Sequence, residues 1–121
     1  MIRNIDVEGL PKAGPYSHAI VANGFVFVSG QLGTVQGRDL GFEDQFKNAV
    51  GKISKILAEA NSSLDNVIKV TVYLADAKYF DVMNKLFSEY FTSRPARTTV
   101  VTGMIDPKAL VEIDVVAVVK K

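Results

Sequence analysis

The 121-residue sequence predicts an α+β fold in a single domain spanning 1–121. The expected order is β-β-β-α-β-α-β-β, a mixed sheet of five or six strands with two helices on one face. Three observations carry that expectation. Short runs rich in Val, Ile, Phe and Thr are bounded by Gly, Pro, Asn or Asp. Two other segments repeat their apolar residues at helical spacing. Hydrophobic residues make up 48% and charged residues 22%, enough apolar material to build a core without disulfide staples.

Ile2 to Val7 alternates apolar and polar residues and reads as a short edge strand. Gly9 to Pro15 holds two glycines and two prolines and reads as a loop. Ala19-Ile20-Val21-Ala22 and Phe25-Val26-Phe27-Val28 flank Asn23-Gly24, a strong two-residue hairpin signal. The second run is too apolar for a wet sheet face, so both its faces are expected to be covered. Two helices cover only one face of a sheet, which leaves the other for an oligomer. Ser29-Gly30-Gln31 closes this run with a hydroxyl, a flexible backbone and an amide side by side. That is either a plain strand end or a place where a ligand approaches the backbone. Gly33 to Gly41 reads as a loop.

From Phe42 the period changes. Phe42, Phe46, Ala49, Val50, Ile53, Ile56, Leu57 and Ala60 form one helical stripe, with Glu43 and Asp44 in the first turn where negative charge suits the helix dipole. Lys47, Asn48, Lys52, Ser54, Lys55 and Glu59 are expected to face water. Asn66 to Leu74 reads as a strand. Asp76 is a candidate cap for a second helix with Phe80, Met83, Phe87, Tyr90 and Phe91 as its apolar stripe, ended by Arg94-Pro95. Asn84 sits at the margin of that stripe. Thr98 to Thr102 and Val111 to Val119 read as the last two strands, with a loop at Asp106-Pro107 between them.

Composition removes many chemistries. Cysteine is absent and there is one histidine, so thiolate nucleophiles and Cys- or His-rich metal sites are excluded; neither a metal nor a cofactor is expected. The sequence lacks a P-loop, a dinucleotide fingerprint, a His-Glu-x-x-His helix and a Gly-x-Ser-x-Gly elbow. A net charge of +1 gives no general attraction for nucleic acid or an anionic membrane, so neither is expected as a partner. The N-terminus lacks a signal-peptide pattern and no apolar run reaches membrane-spanning length, so a soluble cytoplasmic protein is expected. His18 reads as a surface or packing residue.

What remains is a charged pair set in β-branched surroundings. Arg97 lies in Pro95-Ala96-Arg97-Thr98-Thr99-Val100-Val101, and Glu112 in Leu110-Val111-Glu112-Ile113-Asp114-Val115-Val116. Charges in strands are costly unless paired or facing a site, and the two runs are expected to be neighbours. An arginine fork matches a carboxylate with two hydrogen bonds, and a glutamate can orient and deprotonate water. Together they suffice for hydrolysis of a small acid. An internal Arg97–Glu112 salt bridge explains the same spacing.

At these residues the sequence resembles the YjgF/RidA family of reactive-intermediate deaminases along essentially its whole length. The resemblance rests on Gly14-Pro15-Tyr16-Ser17, Val28-Ser29-Gly30-Gln31, Val82-Met83-Asn84, and Pro95-Ala96-Arg97-Thr98-Thr99-Val100 followed by Glu112-Ile113. It implies a chorismate-mutase-like α+β fold and a homotrimer whose sheets line a central barrel, with sites between subunits. It also implies hydrolysis of 2-imino or enamine acids, such as 2-iminobutanoate and 2-iminopropanoate, to 2-oxo acids and ammonia. Such species leave pyridoxal-phosphate enzymes, which their removal protects. By position, Arg97 would clamp the substrate carboxylate and Glu112 would manage the water. Tyr16 would close the site, Ser29 and Gly30 would form its wall, and Asn84 and Phe87 would shape the side-chain end. Thr99 stands where many members have cysteine, and its backbone N–H still offers a donor; His18 stands where glutamine is frequent. The alternatives are a non-catalytic binder of small carboxylates, a nucleic-acid or protein-interaction module, and, on shared fold alone, a chorismate mutase.

Overall fold

The computed structural model describes residues 1–120. Six strands form one mixed sheet: β1 (Ile2–Ile5), β2 (Ala19–Ala22), β3 (Phe25–Leu32), β4 (Val67–Leu74), β5 (Ala96–Val101) and β6 (Val111–Val118). Helix α1 covers Phe42–Glu59 and α2 covers Phe80–Tyr90. The strand order is β1-β2-β3-β6-β4-β5, and only the β4–β5 pair is parallel. The last strand in sequence therefore lies inside the sheet, between β3 and β4.

Alternation decides the faces. Val26 and Val28 of β3, Val111, Ile113, Val115 and Ala117 of β6, and Val70, Val72 and Leu74 of β4 are buried on the helix side. Against them α1 sets Phe46, Ala49, Val50, Ile53, Ile56 and Leu57, while α2 sets Met83, Leu86 and Phe87. The opposite face carries Phe25, Phe27 and Val100, which are 39%, 47% and 38% exposed. In the single chain β3 is thus covered on one face, and the expected cover on the other is not supplied from within it.

The Asn23-Gly24 hairpin forms, with φ of 51° and 80° at the two turn residues, the left-handed pair such a turn needs. Asp76 caps a short 3-10 turn, Ala77–Tyr79, accepting from the Lys78 N–H, and that turn leads into α2. The second helix stops at Tyr90, earlier than Arg94-Pro95. Phe91 turns into the core, packs on Phe87 at 4.8 Å between ring centroids, and the chain reverses with Arg94 at φ 58°.

Two contacts fix the end of the sheet that matters for chemistry. Gln45 is buried in the first turns of α1; its amide nitrogen donates to the Leu40 and Lys108 carbonyls, and its oxygen accepts from the Leu110 N–H. One side chain thereby ties α1 to the start of β6. Gly33 lies against the same turn, where a Cβ would stand 1.7 Å from the Gln45 carbonyl oxygen, so only glycine permits β3 to pass so close to the helix.

Candidate active site

Arg97 and Glu112 do not neighbour each other. β4 lies between their strands: Arg97 is in register with Val70 of β4, and Glu112 with Tyr73. Val70 is on the helix side and Tyr73 on the open side, so the two charged groups project from opposite faces of the sheet. The expectation of adjacent runs is corrected by strand order, and an intrachain salt bridge goes with it. The ion pairs among the described residues include neither group.

Arg97 occupies the edge strand beneath α2. Phe80, Met83, Asn84 and Phe87 recur at i, i+3, i+4 and i+7 and share one face of that helix. The guanidinium carbon lies 4.8 Å from the Phe87 ring centroid and 5.8 Å from that of Phe80, and Nη1 is 3.5 Å from the Met83 sulfur. Aromatic faces attract the cation and hold its plane without consuming its strong donors. Thr99 is two residues on and faces the same way; its hydroxyl oxygen is buried without a hydrogen-bond partner. Asn84 is half-buried beside Met83. Arg97 and Phe87 are therefore brought together, with Thr99 on the same strand face and Asn84 on the same helix face, and Phe80 and Met83, assigned from the sequence to a core stripe, prove to frame the arginine. The i+3/i+4 spacing around Asn84 was the available signal.

The second cluster surrounds Glu112. Between Val28 and Gln31 the β3–β6 register slips, so Ser29 and Gly30 together face Asp114, a β-bulge. The bulge is pinned: the Ser29 N–H donates to the His18 carbonyl, its hydroxyl to the Ser17 carbonyl, and the Gln31 amide to the Ser29 carbonyl. A Cβ on Gly30 would come within 2.3 Å of a Glu112 carboxylate oxygen. The glycine thus makes the space the carboxylate occupies. Tyr16, 43% exposed, is held by its own loop, its oxygen accepting from the Ala13 N–H. Tyr16 and Gly30 both line a cleft of about 520 Å³.

His18 is a packing residue. It is buried, Nδ1 accepts from the Val7 N–H, and Nε2 faces the Pro11 carbonyl at 3.4 Å. It anchors the loop that carries Tyr16.

Burial pushes the Glu112 carboxyl above the ordinary carboxylate range, and the negative charge of Asp114 adds to the effect. Asp114 accepts a 2.8 Å hydrogen bond from Tyr73, which raises the Tyr73 phenol to about 12, burial and the two carboxylates contributing further. Sequence reasoning missed Tyr73 and Asp114. The i+2 spacing of Asp114 from Glu112 places both on one face, but Tyr73 becomes their neighbour only through strand order. Groups of three or more His, Cys, Asp or Glu able to hold a metal ion do not occur among the described residues. Among them, too, no helix is long and apolar enough to cross a membrane.

The family model described as Endoribonuclease L-PSP matches residues 8–119. A RutC family protein of Aquifex aeolicus is 40% identical over 118 residues, covering 89% of this chain and 94% of that one. Reactive Intermediate Deaminase A, chloroplastic, of Arabidopsis thaliana is 34% identical over 119 residues, 93% of this chain and 64% of the relative. The crystal structure of yeast Mmf1 superposes with a TM-score of 0.89 at 35% identity, covering 99% of this chain and 100% of that one. The bulge at Ser29-Gly30, the Glu112 carboxylate it admits and the arginine under α2 thus sit in a chain that belongs to the endoribonuclease L-PSP family, the family of the YjgF, RutC and RidA proteins.

Proposed function

We propose that the protein hydrolyses small 2-imino or enamine acids, 2-iminobutanoate and 2-iminopropanoate among them, to 2-oxo acids and ammonia, using no metal or cofactor. The observation that carries this reading is the state of the two charged groups. Among the described residues the Arg97 guanidinium has no carboxylate partner, and it is framed by apolar side chains. Glu112 is a carboxyl that burial, and then the charge of Asp114, makes a stronger base than an ordinary carboxylate, as suits a group that takes up and returns a proton.

The chemistry asks little of the protein. Arg97 grips the substrate carboxylate by two parallel hydrogen bonds. Glu112 takes a proton from water as the oxygen attacks C2 of the protonated imine, the C=N π pair moves to nitrogen, and a carbinolamine forms. Glu112 returns that proton to the nitrogen, ammonia leaves with the C–N bonding pair, and the Glu112 carboxylate takes the hydroxyl proton as C=O forms, leaving the 2-oxo acid. Orientation and one placed proton carrier account for the acceleration. The chain has no cysteine, and this reaction needs no thiol.

One chain cannot apply both groups to one substrate, because they lie on opposite sheet faces with β4 between them. The proposal therefore includes a homotrimer in which the β5–α2 edge of one subunit meets the Ser29–Gly30–Glu112 end of the next. The exposed Phe25, Phe27 and Val100 on the open face are apolar surface that such an assembly covers. The Arabidopsis relative is named a reactive intermediate deaminase, which supports the same reading. The compartment proposed is the cytoplasm.

The test combines two inactive variants. Arg97→Ala and Glu112→Gln should each nearly abolish imine hydrolysis in an assay coupled to a pyridoxal-phosphate dehydratase. Unfolded and refolded together in equal amounts, they should regain about a quarter of wild-type activity, since about one interface in four then holds both intact groups. No recovery from well-folded mixed trimers would remove the shared site. A chain that binds 2-oxo acids yet leaves imine decay unchanged would instead be a carboxylate-binding protein. The family description also carries the word endoribonuclease; RNA cleavage lost in Arg97→Ala would replace the imine reading, although a net charge of +1 gives RNA little general grip.

A further inference from the structure

The cleft that Tyr16 and Gly30 line also holds a lysine that the proposed chemistry does not use. Lys52 lies on α1, where spacing placed it facing water, yet it is only partly exposed and lines the same cleft as Tyr16. Its Nζ donates at 2.8 Å to the Leu32 carbonyl, and none of the ion pairs among the described residues involves it. An ammonium has three donors, so one carbonyl leaves two to be satisfied. Burial alone pulls its pKa down, with no negative charge to offset the cost.

Two further lysines line the same cleft from other segments. Lys12 comes from the Tyr16 loop and pairs with Asp6 at 2.6 Å; Lys108 comes from the loop before β6 and pairs with Asp39 at 2.9 Å. Both pairs are at the surface, where such contacts are weak and easily exchanged. Asp106, the acidic residue of the lining, turns its carboxylate back to the Lys108 N–H of its own loop. The cleft is therefore lined by three lysines against one carboxylate, and Lys52 has no ion-pair partner among the described residues.

We propose that this cleft is a binding site for a small, multiply charged oxyanion, a phosphate or a dicarboxylate, anchored on Lys52 with Lys12 and Lys108 as its flanks. The multiple charge separates it from Arg97, whose single fork suits one carboxylate. The site shares Tyr16 and Gly30 with the Glu112 cluster but does not depend on the deaminase reading. A bound anion supplies the partner that Lys52 lacks, so affinity falls as pH rises through the lysine's lowered pKa. Tyr16, Lys12, Lys108 and Asp106 are the other titratable groups lining the cleft.

The test is a titration of the isotopically labelled full chain with inorganic phosphate, then with malonate, at constant ionic strength so that general screening cancels. Saturable amide shifts are expected at Tyr16, Gly30 to Leu32, Thr34 to Gly37 and Lys52, and the tighter of the two probes identifies the ligand class. Lys52→Met should weaken that binding about tenfold or more, and Lys12→Gln should weaken it less. Lys52→Arg should retain it, which separates loss of charge from loss of fold. Shifts that fail to saturate with either probe, shifts centred on Arg97 and α2, or full binding by a folded Lys52→Met would overturn the assignment.

Discussion

Replacing Gly30 by alanine probes the Glu112 site through a single methyl group. The backbone tolerates the change, because Gly30 is not among the glycines in the left-handed region. The new Cβ would lie 2.3 Å from the Glu112 carboxylate oxygen, 3.1 Å from its carbon and 3.4 Å from its Cγ. Ordinary contact begins near 3.4 Å, so the oxygen must retreat by about 1.1 Å. A displacement of about 1 Å at a proton-transferring group costs on the order of 100-fold in rate, about 2.7 kcal/mol of barrier. Stability should barely change, since the atom that yields is the end of a flexible side chain. Gly33→Ala is the contrast: its Cβ meets backbone of α1, which cannot yield. That variant should lose about 3 kcal/mol or more of stability, with a Tm lower by roughly 10 °C or more. The assay generates the imine with a dehydratase while semicarbazide competes for it; active protein lowers semicarbazone formation. The expected pattern is a folded, nearly inactive Gly30→Ala and an unstable Gly33→Ala. Gly30→Ala within about twofold of wild-type kcat/KM would refute a working role for the Glu112 carboxylate at its observed position.

Three other outcomes follow from the same geometry. Because burial holds the Glu112 pKa above its unfolded value, its stability contribution is full below the unfolded pKa and is lost as pH rises through the folded one. Glu112→Gln should therefore melt above wild type at neutral pH and together with it near the bottom of the carboxylate range; a neutral-pH loss of stability would contradict this. In a spectrophotometric titration one of the four tyrosines should ionise at about 12, and Asp114→Asn should return it toward 10.0; an unchanged late tyrosine in that variant would assign the effect elsewhere. Arg97→Lys keeps a charge but loses the planar fork and the stacking on Phe87, so kcat/KM should fall by about 100-fold or more. Near-normal turnover in that variant would mean that a point charge suffices.

Local periodicity and turn chemistry determined much by themselves. The change from alternation to helical spacing at Phe42 and the Asn23-Gly24 turn fixed element types, because each depends on neighbours in the chain; Asp76, expected to cap the second helix, caps the 3-10 turn before it instead. Arg97 and Glu112 stood out for the same reason, as charges inside β-branched runs. What lies beside what depends on packing between distant segments. Only the tertiary structure set β4 between β5 and β6, and so put the two charged groups on opposite faces. It also placed the Ser29–Gly30 bulge against Glu112 and turned Lys52 from the expected water face into a cleft. Periodicity states which side of an element is apolar; strand order, decided by long-range burial, states which residues share a site.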